Sequence, residues 1–354
     1  MGNRVKVFII DDSPMIRQIL TSIIVSCSEL ELVGEAENGR VALEKLKTVT
    51  PDIITLDIQM PEMDGLETLE RIMVVKPTPV IMISSFTKDG ADITFRALEL
   101  GAVDYIQKPE LSSMRKNINL ISDLLITKIK IFSNFELPGK KRFKEKSFDD
   151  EIPVIGGLPS FNIPKVLPSD ISYICIGAST GGTVALTQII PKLKEGLKVP
   201  VLVVQHMPKH YTKSFANRLN LISKLTVIEA QGGEVITPGY VYIAQGGRHM
   251  KVRSGRIVLD DTEEVNCHKP SVDVLFYSMG AEFGSKNMAI ILTGMGSDGA
   301  RGIEFIKNAG GYTVAQDEES SVIFGMPSAA IKTGKVDRII PLDEVSGFIN
   351  NFFK

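Results

Sequence analysis

Few cysteines, few histidines, no excess of charge and no long apolar run set the first limits on this chain. Cys27, Cys175 and Cys267 are the only cysteines in 354 residues. They are odd in number and form no C-x-x-C pair, which argues against a disulfide framework or structural zinc and points to a reducing compartment. The 40 Lys and Arg nearly balance the 42 Asp and Glu, a formal net charge of −2. With no basic stripe, the electrostatic footprint of a nucleic-acid-binding protein is missing. No apolar stretch approaches the ~20 residues of a membrane span, so no membrane insertion is expected. Met1-Gly2-Asn3-Arg4-Val5-Lys6 runs straight into a strand, so no signal peptide is expected, and Lys6 stands where myristoylation needs Ser or Thr. The expectation is a cytoplasmic protein with room for two cores.

From Arg4 to Pro109 apolar runs alternate with amphipathic ones. Val5–Ile10, Leu32–Ala36, Ile53–Leu56, Val80–Ile83 and Tyr105–Gln107 read as strands; Met15–Ser26, Gly39–Lys47, Gly65–Val75 and Ala91–Leu100 have helical spacing. Such alternation predicts βαβ units and a parallel sheet covered on both faces. A helical stretch from Leu111 to about Ile131 closes the unit, giving a first domain over 1–131. Residues 132–168 carry Lys140-Lys141-Arg142, then Asp149-Asp150-Glu151, with prolines at 138, 153, 159, 164 and 168, and read as a linker. Alternation returns over 169–354, with strands at Tyr173–Ile176, Val199–Val204, Thr226–Glu229, Tyr240–Ala244 and Ala289–Thr293, and helical pieces at Gly302–Asn308 and Ser328–Thr333. The predicted class is α/β throughout.

Asp11 and Asp12 follow the first strand and Asp57 the third, so all three gather where a doubly wound sheet binds ligands. Three carboxylates repel unless a cation neutralises them, and all-oxygen ligation suits magnesium or manganese. Ser84 and Lys108 stand at two further strand ends. The set suits phosphoryl transfer onto Asp57, with Lys108 and the metal balancing the phosphoryl charge. Each acid taken alone is also an ordinary helix cap or loop residue, Asp12-Ser13-Pro14 being a good helix start.

Through Phe8-Ile9-Ile10-Asp11-Asp12-Ser13, Thr55-Leu56-Asp57-Ile58-Gln59-Met60-Pro61-Glu62-Met63-Asp64-Gly65, Ser84-Ser85 and Lys108-Pro109, residues 4–130 resemble a response-regulator receiver domain. That resemblance implies a flavodoxin-like five-stranded parallel fold and phosphorylation of Asp57. It implies Mg2+ held by Asp11, Asp12, Asp57 and the carbonyl of Gln59, Ser84 and Tyr105 as switch residues with Lys108, and a cis bond before Pro109.

In the second domain Ile174-Cys175-Ile176-Gly177-Ala178-Ser179-Thr180-Gly181-Gly182 takes an apolar strand into a glycine turn and a helix near Thr183. G-x-S-x-G is the spacing of a nucleophile elbow, with N–H groups after Ser179 aimed at a developing oxyanion. A glycine turn whose serine merely caps the helix gives the same pattern. Among the four histidines, His206 ends the apolar run Pro200–Gln205 on the same sheet edge and is the best-placed base; His210, His249 and His268 lie in loops or polar segments. Asp298, in Gly294-Met295-Gly296-Ser297-Asp298-Gly299, is the candidate orienting acid, with Asp273 as rival within a helical stretch. The order Ser, His, Asp differs from that of the α/β-hydrolases, so the elbow motif does not place the domain in that fold.

Ile176–Thr183, Gln205-His206-Met207-Pro208, Leu292–Gly299, His268-Lys269-Pro270-Ser271-Val272-Asp273-Val274-Leu275-Phe276, Ala315-Gln316-Asp317-Glu318 and Phe324-Gly325-Met326-Pro327 resemble the catalytic domain of the chemotaxis protein-glutamate methylesterases over 170–345. A receiver joined to that domain is the family's whole-chain layout. The resemblance implies a doubly wound, mostly parallel catalytic domain and hydrolysis of glutamate γ-methyl esters on chemoreceptors, with glutamine deamidation and no cofactor for the ester reaction. It implies Thr180 and Met295 N–H groups as oxyanion donors, a chemotaxis histidine kinase as phosphodonor, and inhibition by the unphosphorylated receiver. Two other readings stay open: a receiver-controlled scaffold with an inert serine turn, and an esterase for a methylated protein outside chemotaxis. A DNA-binding regulator is disfavoured, since no helix-turn-helix follows the linker.

Overall fold

A computed structural model describes residues 4–84, 88–108, 114–133 and 170–353, and the chain divides into two compact units on either side of residue 162. The expected linker falls almost wholly outside the described residues, as do Ser85 and the bond before Pro109.

The first unit alternates β1 (Val5–Ile10), α1 (Pro14–Ser26), β2 (Leu30–Ala36), α2 (Gly39–Lys45), β3 (Ile53–Asp57), α3 (Gly65–Val75), β4 (Val80–Ser84), α4 (Lys88–Glu99), β5 (Asp104–Gln107) and α5 (Met114–Phe132). The sheet is parallel in the order β2-β1-β3-β4-β5. β3 and β4 are buried at every residue because helices cover both faces, which is why they read as unbroken apolar runs. Helix starts follow local capping chemistry. Ser13, Asn38 and Asp64 accept from the N–H groups of Ile16, Val41 and Glu67, and Pro14 fits the first turn of α1 without needing an N–H partner. The strand order reverses between β1 and β3, which sets the loops after β1 and β3 side by side.

The second unit holds β6 (Tyr173–Ala178), α6 (Gly182–Ile189), β7 (Val201–Gln205), α7 (Tyr211–Ile222), β8 (Thr226–Glu229), β9 (Tyr240–Ile243), β10 (His249–Arg253), β11 (Arg256–Asp260), α8 (Val272–Phe283), β12 (Asn287–Ile291), α9 (Ala300–Asn308), β13 (Tyr312–Gln316), α10 (Met326–Lys332), β14 (Arg338–Ile340) and α11 (Leu342–Phe352). Seven strands form one parallel sheet in the order β14-β13-β12-β6-β7-β9-β8, and β10 pairs antiparallel with β11 as a separate ribbon. The order reverses between β6 and β12. The chain therefore leaves β6, β7 and β12 at one sheet edge, with Ala178 opposite Gln205 in register. Under that edge Leu202, Val204, Val272, Leu275, Phe276 and Ile291 belong to one continuous core. Each such side chain contributes about 2 kcal/mol through burial, so the loops above rest on a rigid floor.

Candidate active site

β6 ends at Ala178, and the chain turns at once, the Gly182 N–H donating to the Ser179 carbonyl at 2.8 Å. Gly181 takes φ 79, in the left-handed region, where a Cβ would also lie 2.6 Å from Val322. The turn is fixed from three sides. Ser179 N–H donates to the Thr293 carbonyl at 3.0 Å, and His206 N–H to the Ala178 carbonyl at 3.0 Å. The buried Gln205 amide donates to the carbonyls of Ser179 (2.8 Å) and His206 (3.2 Å), tying the loops of β6 and β7 together.

His206 Nε2 lies 2.9 Å from Asp298 Oδ2. Asp298 also accepts from Asn266 Nδ2 (2.8 Å), Ser271 Oγ (2.9 Å) and the N–H groups of Val272 (2.7 Å) and Asp273 (3.2 Å). Val272 and Asp273 open α8, so the carboxylate sits on a helix N-terminus, whose dipole favours an anion. Burial opposes the charge, but the hydrogen bonds from His206, Asn266 and Val272 outweigh it and hold the carboxyl well below the usual range. An ionised carboxylate only accepts, so Nε2 is the ring nitrogen that donates to it. Nδ1 is buried without a hydrogen-bond partner; it is the nitrogen available to receive a proton. Nδ1 makes no hydrogen bond to Ser179 Oγ; catalytic hydrogen bonds of this kind often tighten only as the reacting complex forms.

His268 stacks on His206 with ring centroids 3.7 Å apart and planes 15° from parallel. Its Nδ1 donates to the Asn266 carbonyl at 2.6 Å, and burial beside the His206 ring pushes its pKa down to about 4. A neutral aromatic face therefore covers His206. His206, His268 and Asp298 each offer one ligand atom within 4.8 Å of the others. Parallel rings send their lone pairs along parallel planes, however, and donors crowd the Asp298 oxygens, so the group suits proton transfer better than metal ligation. The main-chain N–H groups of Thr180 and Met295 make no hydrogen bond among the described residues. Gly294 lets the Met295 loop approach the serine: a Cβ at 294 would lie 2.8 Å from the Ser179 Cβ and 2.3 Å from Met326 Sδ. Gln205, Asn266, Ser271 and Thr293 were given no role from the sequence, since polar residues that only hold others leave no spacing signal. Ser271 alone carries one, as the cap before an apolar helix.

In the first unit Asp57 ends β3, with Lys108 Nζ 2.6 Å from its Oδ2 and 3.2 Å from Asp11 Oδ2. Burial pushes the Asp57 carboxyl up to about 6 against the pull of Lys108, and raises Asp11 as well. One ligand oxygen each from Asp11, Asp12 and Asp57 falls within a 4.8 Å cluster. Beyond the Lys108 ammonium, Asp11 Oδ2 is buried without a hydrogen-bond partner among the described residues, a donor oxygen that fits a cation ligand. Asp12 and Gln59 line an adjoining cavity of about 610 Å³. Ser84 Oγ accepts from Thr94 Oγ1 at 2.8 Å. Tyr105 is buried at 9% exposure, and Lys128 donates to its carbonyl and lies 5.7 Å from its ring centre.

Residues 174–349 match the family model described as CheB methylesterase, and residues 7–119 match that of the response regulator receiver domain. A protein-glutamate methylesterase/protein-glutamine glutaminase of Bacillus licheniformis is 44% identical over 359 residues, with 99% of each chain covered. One of the same name from Pyrococcus horikoshii is 43% identical, covering 98% of this chain and 92% of its own. Among solved structures, the CheB methylesterase catalytic domain of Thermotoga maritima is 40% identical at a TM-score of 0.50, covering 51% of this chain and 98% of that one.

Proposed function

The chain belongs to the family of protein-glutamate methylesterases/protein-glutamine glutaminases, and we propose that Ser179, His206 and Asp298 carry that chemistry on the glutamate γ-methyl esters of chemoreceptors. The observation that supports this most is the buried, ionised Asp298 clamped to His206 on the sheet edge that presents Ser179. Ser179 Oγ attacks the ester carbonyl as its proton passes to His206 Nδ1. The resulting imidazolium is held by Asp298 through Nε2–H. The N–H groups of Thr180 and Met295 take the oxyanion, each donor contributing about 3 kcal/mol. The C–O bond to the methoxy group breaks, His206 returns the proton, and methanol leaves. Water, deprotonated by the same nitrogen, then cleaves the acyl-enzyme to free carboxylate and Ser179. A glutamine amide in the same place loses ammonia instead.

Asp57 is the phosphoryl acceptor in this reading, and a chemotaxis histidine kinase is the donor. Asp11, Asp12, Asp57 and the Gln59 carbonyl would hold Mg2+, which supplies charge balance for phosphoryl transfer when bound. Lys108 contributes a second cation, and Ser84 and Tyr105 respond to the phosphoryl group. Phosphorylation then raises esterase activity, which gives receptor adaptation. No helix among the described residues is long and apolar enough to cross a membrane, which fits work in the cytoplasm. The test is methanol release from methylated receptor membranes by the full chain and by Ser179→Ala. The variant is expected to stay folded and lose turnover at least about a thousandfold; substantial release by the variant overturns the assignment.

A further inference from the structure

The mechanism above leaves unused a buried titratable group beside the triad. Asp273, 2% exposed in the first turn of α8, accepts from the Gly302 N–H at 2.7 Å and has no cation among its hydrogen-bond partners in the described residues. Burial raises its pKa, and the charge of Asp298 adds to that rise. The two carboxylates thus sit on neighbouring helix N-termini, Asp298 on that of α8 and Asp273 on that of α9. Between them stands one amide: Asn266 Nδ2 donates to Asp273 Oδ2 and to Asp298 Oδ1, each at 2.8 Å.

The backbone explains how an exposed loop reaches that point. Val265 and His268 exchange N–H···O=C bonds of 3.2 and 3.0 Å, closing a two-residue turn over Asn266 and Cys267. Both central residues are left-handed, at φ 54 and 61. That is the hairpin turn in which Asn is favoured at the first position. The turn sends the Asn266 side chain to the two carboxylates and the His268 ring onto His206.

We propose that Asn266 is a positioning residue of the triad, its single amide bridging Asp298 and Asp273 so that both carboxylates keep their places and Asp298 stays aligned with His206. The inference rests on the esterase reading and adds a residue to it. Asn266 touches no reacting atom and acts through Asp298. The groups facing the bridge are Asp298, His206 and His268 from the loops, Asp273 and Ser271 from α8, and the Gly302 and Gly299 N–H groups at the start of α9. Tyr277 lies farther along α8, within electrostatic reach of Asp273. The amide contributes the positive end of a dipole, and its removal raises the proton affinity of what surrounds it.

The experiment uses the full chain and two substitutions. Asn266→Gly keeps the left-handed turn and deletes the amide; Asn266→Asp keeps the side-chain shape and replaces the donor by a third carboxylate. Wild-type methanol release from methylated receptor membranes tests the esterase reading; only the variants test the bridge. Asn266→Gly is expected to lower kcat roughly tenfold or more with KM within about twofold. It should move the acid limb of the pH–rate profile to higher pH and displace the low-field proton resonance of His206 Nε2–H. Asn266→Asp should move the limb further in the same direction. An active wild type with Asn266→Gly within twofold of it overturns the proposal. So does a lower kcat with unmoved acid limb and proton resonance, which is what a merely structural turn residue would give. Should Asn266→Gly fail to fold, Asn266→Asp decides alone by the same two readouts.

Discussion

Asp298 receives five donors, His206, Asn266, Ser271 Oγ and two N–H groups of α8, so its charge is stabilised before any substrate arrives. Asp298→Asn keeps the volume but places an amide where the imidazole donates. The wrong tautomer of His206 then becomes favoured, and kcat should fall about 10³- to 10⁴-fold with little change in KM. The opposite balance holds at Asp57, whose carboxyl is pushed up to about 6 by burial from an ordinary 3.8. Its folded pKa lies above the unfolded one, so the native state binds the extra proton, and stability contributed by this group falls as pH rises from about 4 to about 6. Thermal melts of the full chain should show that slope in the first unit, Asp57→Asn should reduce it, and Mg2+ should offset it by favouring the charged form. Asp11, also raised, acts in the same direction and accounts for what slope remains. Ser179, His206 and Asp57 were legible because each ends an apolar run. Asn266 was not, because its contact with Asp298 spans 32 residues and depends on a turn visible only in the backbone.

At the scale of elements, both sites form where strand order reverses, between β1 and β3 and between β6 and β12. Placing Ser179 above the second reversal requires the Met295 loop to close on it, and Gly294 allows that approach. Gly294→Ala would drive a methyl group into Met326 Sδ and the Ser179 Cβ. Activity should fall more steeply than stability, to be read as kcat beside a denaturant midpoint. The N-terminus of α8 is a second such device. Ser271→Ala removes both a helix cap and an Asp298 donor, and should cost about 1 kcal/mol of stability together with a fall in kcat. Strands β1, β3, β4, β6 and β7 were plain in the sequence, since sheets covered on both faces demand continuous apolar runs. The ribbon β10–β11 was hidden, because Lys251 and Arg253 break up any apolar run in His249-Met250-Lys251-Val252-Arg253. β13 was missed although buried at every residue, its five residues following Gly310-Gly311 without a longer apolar run to mark them.

The whole molecule joins a receiver domain to a methylesterase domain in one chain, and the matches run across both. We propose domains at 1–131 and 169–354, with 132–168 as the tether that makes the catalytic unit answer to Asp57. A chain lacking residues 1–133 should hydrolyse methyl esters at a rate indifferent to phosphodonor, and Asp57→Ala in the full chain should lose the response while keeping basal turnover. The most direct measurement is methanol release from methylated chemoreceptor membranes by the full chain, with and without a small phosphodonor and Mg2+, beside Ser179→Ala. The account predicts release that rises with phosphodonor and is absent from Ser179→Ala under both conditions. Equal release from wild type and Ser179→Ala would contradict it.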